Sequence, residues 1–280
     1  LFAIATQRLL PAVQAIYASW SGITDREKLV TNLLQLTDLP IKRITKSNEL
    51  FDKIDLIEAR SLSYTYPTKT TKSINNISLT AKSGDIIGIY GSSGSGKSTL
   101  FELLMGFLTS DEGSIYVNGK QITNIQLPSW YKAIAHVPQN IYLADMTIEQ
   151  NITFSKENNE INKAKLKQSC NEACILEFID NLPFQFKTTV GERGVFLSGG
   201  QIQRIGLARA FYKNAKVLFL DEATSALDSF TEQRVLKEIY KSHKKRIVFL
   251  ITHNKNLLEY CNKVYEFKEN KTFILTKQPE

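Results

Sequence analysis

Eight consecutive residues, Gly91-Ser92-Ser93-Gly94-Ser95-Gly96-Lys97-Ser98, fit the spacing GxxxxGK[ST] at every fixed position. Glycines let a backbone curl until several N–H groups face one anion, and a helix opening just beyond adds partial positive charge. In such a loop Lys97 would reach the β- and γ-phosphates of a nucleoside triphosphate, and Ser98 would ligate Mg2+. A second cluster, Val217-Leu218-Phe219-Leu220-Asp221-Glu222, closes an apolar run with two carboxylates. Asp221 suits the metal, held mainly through its hydration shell, and Glu222 suits the proton of an attacking water. Alone, an Asp-Glu pair ending a strand reads as a surface turn. Beside a phosphate loop it reads as the second half of the site.

The surrounding elements must deliver both clusters to one place. Ile86 to Tyr90 reads as an apolar strand leading into the loop, and a helical pattern through Leu100, Leu103 and Leu104 leads out from Thr99. Val217 to Leu220 and Ile247 to Ile251 are continuous apolar runs, as expected of parallel strands buried on both faces. Shorter β-like runs span Ile54 to Tyr64 and Ile74 to Thr80, and Ile115 to Gly119 reads as a strand entering a turn. Residues 160 to 181 have helical periodicity. The whole reads as α/β, with an early antiparallel portion and a helical insertion. A length of 280 residues allows one large domain or two small ones. With 14 Gly and 7 Pro, collagen and a mostly disordered chain are excluded. The net charge of +7 is mild for a nucleic-acid or anionic-membrane binder, and the run Lys241 to Arg246 reads as a solvated helix end and turn. Three cysteines make no disulfide framework; Cys170 and Cys174, four apart in a helix-like stretch, and the remote Cys261 read as reduced thiols. His136, His243 and His253 form no cluster with zinc spacing.

Between the two clusters lies Leu197-Ser198-Gly199-Gly200-Gln201, followed by Gln203-Arg204. Together with the strand ending in Asp-Glu, this resembles the nucleotide-binding domain of ABC transporters over about residues 53 to 280. The resemblance implies a P-loop NTPase (RecA-like) core with an antiparallel β subdomain and a helical subdomain bearing the signature. It implies ATP and Mg2+ as cofactors. Tyr66, in Tyr64-Thr65-Tyr66-Pro67, matches the aromatic that stacks on adenine. Gln139, in Val137-Pro138-Gln139-Asn140, matches the Q-loop glutamine that contacts Mg2+ or the lytic water. Ser225-Ala226-Leu227-Asp228 matches the D-loop, which puts Asp228 among the nucleotide contacts, and His253, in Ile251-Thr252-His253, matches the switch histidine. In the family two such domains meet head to tail. ATP lies between one copy's phosphate loop, Gly91 to Thr99, and the other copy's Ser198, Gly199, Gly200 and Gln201. N–H groups that open a helix at Gly199 and Gly200 make a second anion site, useful only to a partner. Intact motifs on both sides of the site make a twofold homodimer the expected assembly.

The branch of the family is a separate question. Glu192-Arg193-Gly194, just ahead of the signature, resembles the exporter segment that touches the membrane domain's intracellular loops. The opening LFAIATQRLLPAVQAIYASW is apolar but interrupted by Gln7, Arg8, Pro11 and Gln14, too broken to span a bilayer, which takes about 20 apolar residues. It has no basic start or cleavage pattern of a signal peptide. Phe2, Leu9, Ile16 and Trp20 fall near helical spacing and predict an amphipathic helix kinked around Pro11. Residues 1–22 resemble the cytosolic end of a last transmembrane helix, residues 23–52 a helical linker, and residues 53–280 the ATP-binding domain. Within the linker Thr24-Asp25-Arg26-Glu27 matches a capping box that would open a short helix through Val30, Leu33 and Leu34, and residues 38 to 53 are polar and aperiodic. The opening Leu1 raises the expectation of hydrophobic spans upstream, a transmembrane domain in the same polypeptide, and a place at the cytoplasmic face of the inner membrane. Arg8-Leu9-Leu10-Pro11 with Ile16 resembles half-transporters that flip lipid-linked glycans. Two alternatives are a soluble ABC ATPase acting on nucleic acid or the ribosome and a stand-alone importer ATPase. The first commonly carries paired ATPase domains or a long coiled-coil insertion, and the second usually starts at its first strand. No nucleic-acid partner is expected.

Overall fold

A computed structural model describes residues 2–37, 51–155, 161–242, 246–268 and 271–275. The chain divides into two units, Leu1–Thr45 and Lys46–Glu280. Among the described residues the first contains one helix, α1 (Phe2–Thr37), which runs without interruption through Pro11, Gly22 and Thr24. The predicted helix start at Thr24 is therefore corrected. Its hydroxyl donates to the Trp20 carbonyl at 2.8 Å, and Thr31 does the same to Glu27. These are back-bonds inside a continuous helix and not a cap. Once a helix is nucleated, a single glycine costs only about 1 kcal/mol, too little to stop it between good helix formers. Leu9, Val13, Ile16, Tyr17 and Trp20 are exposed. No described helix is long and apolar enough to cross a membrane. The expected linker at 38–53 lies mostly outside the described residues.

Among the described residues the second unit holds two sheets. The first is antiparallel, in the order β2-β1-β4-β5, with β1 (Leu56–Tyr64), β2 (Ile74–Lys82), β4 (Glu112–Val117) and β5 (Lys120–Gln121). The second has six strands in the order β10-β9-β3-β8-β7-β6. They are β3 (Ile86–Gly91), β6 (Ile134–Val137), β7 (Val217–Asp221), β8 (Ile247–Ile251), β9 (Lys263–Lys268) and β10 (Lys271–Leu275). All its pairings are parallel except β9 with β10. Side chains alternate across this sheet, and both faces are covered. Phe219 and Phe249 stack at 5.0 Å on one face against Phe101 of α2 (Lys97–Met105). Leu218, Leu220, Val248 and Leu250 join a second core on the other face with Ile205, Ala208 and Val235. That double burial explains the unbroken apolar runs in the sequence.

The insertion between β6 and β7 is helical: α4 (Ile148–Thr153), α5 (Lys163–Glu172), α6 (Leu176–Asp180) and α7 (Gly199–Lys213), with α3 (Leu127–Ala133) ahead of β6 and α8 (Ser229–Ser242) after β7. Where helical periodicity is read at 160–181, the described residues form two helices, α5 and α6. Cys174 separates them with a left-handed φ of 55°, so Cys170 sits in α5 and Cys174 in the turn beyond.

Candidate active site

The strand order assembles the site. β8 lies between β3 and β7, with β6 beyond, and all four run the same way. Their C-terminal ends line one edge, where open α/β sheets bind ligands. The phosphate loop leaves β3 there, His253 follows β8 by two residues, Asp221 ends β7, and Gln139 follows β6 by two.

The loop from Gly91 to Ser98 curls into α2. Gly96 has φ 107°, and a Cβ there would lie 2.6 Å from the Ser73 carbonyl, so both the backbone angle and the close approach require glycine. Lys97 is buried, and its Nζ donates to the carbonyls of Gly91 at 2.9 Å and Ser92 at 2.8 Å. Burial pushes its pKa down, opposed by the charges of Glu222 and Asp221. Ser95 Oγ is buried with no partner, and nothing stands within 4 Å of the open side of Gly94. Ser92, Ser93 and Gly94 are exposed. A buried hydroxyl lacking a partner beside an open glycine-rich edge suits phosphate oxygens. Tyr66 is half-buried, edge-on to Tyr64 at 5.0 Å, and its phenol meets Thr99 Oγ1 and Glu102 Oε2, each at 3.1 Å. Thr99 thus ties the aromatic expected at adenine to the helix that starts at the phosphate loop.

Behind the loop stand the carboxylates. Asp221 has its pKa raised chiefly by burial, opposed by the neighbouring Ser98 hydroxyl and raised further by the Glu222 charge. Asp221 and Ser98 offer the oxygen donors that Mg2+ prefers. Glu222 has a left-handed φ of 48°. Its Oε1 lies 2.8 Å from His253 Nε2, and its Oε2 accepts from Gln139 Nε2 at 2.8 Å. Gln139, expected at the metal or the lytic water, is thus bonded to the candidate base. Three residues drawn from three strand ends, β6, β7 and β8, meet at one carboxylate.

The signature opens α7. Ser198 is its N-cap: Ser198 Oγ accepts from the Gln201 N–H, and Gln201 Oε1 accepts from the Ser198 N–H, a reciprocal capping box. Gln201 Oε1 is engaged in the cap, while Ser198 and Gly199 are exposed at the helix opening. Asp228 is exposed, accepts from the Thr231 N–H at 2.9 Å ahead of α8, and has its pKa lowered by that partner. Glu192 to Gly194 form a 3-10 turn with Glu192 and Arg193 exposed. The sequence gives no role to Gln203 or Glu102. Gln203 is buried and bonded to Ser225 and Ala226, and Glu102 holds Tyr66.

The family profile described as ABC transporter matches residues 74–225. ABC transporter B family member 6 of Dictyostelium discoideum is 40% identical over 76% of this chain and 32% of its own length. The ATP-dependent lipid A-core flippase of Photobacterium profundum is 34% identical over 83% of this chain and 40% of its own. Among solved structures, a bacterial Atm1-family ABC exporter with ATP bound superposes with a TM-score of 0.79 at 29% identity, covering 88% of this chain and 43% of that one. The chain therefore spans less than half the length of these relatives. The resemblance read from the signature and the fold it implies are both borne out.

Proposed function

The chain belongs to the ABC transporter family, whose ATPase domain binds ATP, and from that premise we propose that it hydrolyses ATP to ADP and phosphate to drive export across a membrane. The observation that carries the reading is the grip on Glu222: a carboxylate at a strand end, held by Gln139 on one oxygen and His253 on the other, next to a phosphate loop. Gly91 to Thr99 cradle the phosphates, with Lys97 swinging from its own loop carbonyls to the β- and γ-oxygens. Ser98, Asp221 and Gln139 would hold Mg2+, which would supply charge neutralisation at the phosphates. Glu222 accepts the proton of the attacking water, and His253 orients the γ-phosphate and meets its developing charge. Tyr66 stacks on adenine.

A second copy completes the site with Ser198, Gly199, Gly200 and Gln201, head to tail, and Asp228 lies along the same seam. The membrane domain belongs to the same polypeptide, preceding α1, and the ATPase unit works on the cytoplasmic face. The cargo class we favour is a lipid or lipid-linked glycan, because a relative 34% identical is named a lipid A-core flippase. The test is Glu222→Gln: ATP still binds, turnover falls by about 100-fold or more, as expected for loss of a general base, and a nucleotide-bound dimer accumulates. Near-wild-type steady-state hydrolysis in that variant would remove Glu222 from its role.

A further inference from the structure

Gln203 lies within the first turns of α7 with 5% of its surface exposed. Its side chain is used in full on the segment between β7 and α8. Oε1 accepts from the Ala226 N–H at 2.9 Å, and Nε2 donates to Ser225 Oγ at 3.1 Å and to the Glu222 carbonyl at 3.5 Å. The Ala226 N–H can only donate, which fixes the orientation of the amide. The Glu222 carbonyl also accepts from the Ser225 N–H, and the Glu222 N–H donates to Ile251. These contacts hold a residue whose left-handed backbone is unfavourable for any side chain other than glycine. The same segment touches the signature: a Cβ on Gly200 would lie 3.0 Å from the Ala226 carbonyl, and one on Gly199 3.6 Å from the Ala226 Cβ.

We infer that Gln203 is a positioning residue that straps the signature helix to the backbone of Glu222, so that engagement of α7 by a partner's nucleotide sets the aim of the base over the chain's own nucleotide. The inference rests on the shared-site reading proposed above. The opening of α7 and the turn at Glu222 are packed against each other through Ala226, and Gln203 is the polar link between them. A displacement of the helix opening is thereby carried to the carboxylate without passing through the phosphate loop.

The test compares Gln203→Met, which keeps the volume and removes the amide, with Gln203→Glu, which keeps an acceptor for the Ala226 N–H and loses the donor. Both are measured in the purified chain by ATP hydrolysis over a range of ATP concentrations, by nucleotide affinity and by amide exchange across residues 222–227. Both variants should lose about tenfold in kcat, the scale of a slightly misplaced catalytic group, while ATP affinity stays within about twofold. Cooperativity in ATP should weaken, and Ala226 should exchange faster in the methionine variant but not in the glutamate variant. Ser225→Ala, which removes one acceptor, should show a smaller loss of the same kind if Gln203→Met does not fold. Wild-type kcat and cooperativity in these variants would overturn the inference, and so would ATP affinity, thermal stability and kcat falling in parallel. If the unmodified chain hydrolyses no ATP, the underlying reading fails; if it does and the variants match it, only the strap fails.

Discussion

At the scale of single residues, Lys97 brings a buried positive charge to the loop and currently spends its hydrogen bonds on Gly91 and Ser92. Lys97→Ala removes the phosphate countercharge and leaves two loop carbonyls without their donor. Hydrogen bonds to charged groups contribute about 1.5–3 kcal/mol, so ATP affinity should fall by roughly ten- to a hundredfold by calorimetry. Unchanged affinity would show that the loop amides alone hold the triphosphate. The cysteines test a different consequence of burial. Burial and the nearby Asp180 charge push the Cys170 thiol up to about 12, and Cys174, half-buried, is raised as well. A raised thiol pKa means that the reactive thiolate stays scarce until the pH approaches that value. At pH 8 iodoacetamide should therefore leave Cys170 unmodified in the folded chain, with Cys174 labelling first and slowly by mass spectrometry. Rapid labelling of Cys170 would contradict the packing of α5.

At the scale of elements, Ser198 has two separable contributions. Its capping box stabilises α7, so Ser198→Ala should cost about 1 kcal/mol in thermal or denaturant unfolding, and a larger loss of turnover than of stability is expected if the helix opening also serves a partner's phosphate. Gly113 makes the complementary case away from the site. Its φ is 80°, and a Cβ there would collide with the carbonyls of Arg60 and Ser61 across β1 and β4. Gly113→Ala should lose about 1–3 kcal/mol, with ATP affinity nearly unchanged, because the strain falls on the antiparallel sheet. Much of this architecture was legible in residues alone. Val217 to Leu220 and Ile247 to Ile251 announce buried parallel strands because both sheet faces are covered, and the phosphate loop announces itself through fixed spacing. The break at Cys174 and the continuity of α1 through Thr24 were not legible, since local patterns compete there and the winner is set by neighbouring turns. Gln203 was invisible for another reason: its partners lie 19 to 23 residues away. Likewise the meeting of Gln139, Glu222 and His253 depends on strand order, which no local motif encodes.

At the scale of the whole molecule, Ser92, Ser93, Gly94, Ser198, Gly199 and Asp228 are exposed among the residues proposed to face a second copy, and Gly200 and Gln201 are half-buried. They are small or polar, and a seam of this kind removes little apolar surface from water, so contact between proteins alone supplies a weak drive to associate. A triphosphate gripped from both sides adds charge-assisted bonds that neither copy makes by itself. A ligand that binds only the paired state shifts the equilibrium by mass action, about 2.7 kcal/mol at a ligand concentration 100 times its dissociation constant. The chain should therefore scatter light as a monomer without nucleotide. It should become a dimer with Mg2+-ATP once Glu222→Gln prevents the bridging phosphate from being cleaved. In the wild-type chain the dimer should be transient, because hydrolysis removes the bond between the copies. Introduced cysteines at Ser93 and Ser198 should crosslink between copies only in the ATP-loaded Glu222→Gln form. A tight dimer without nucleotide would point to an interface that does not depend on the phosphate, and a monomer at saturating ATP in that variant would separate the signature from the site.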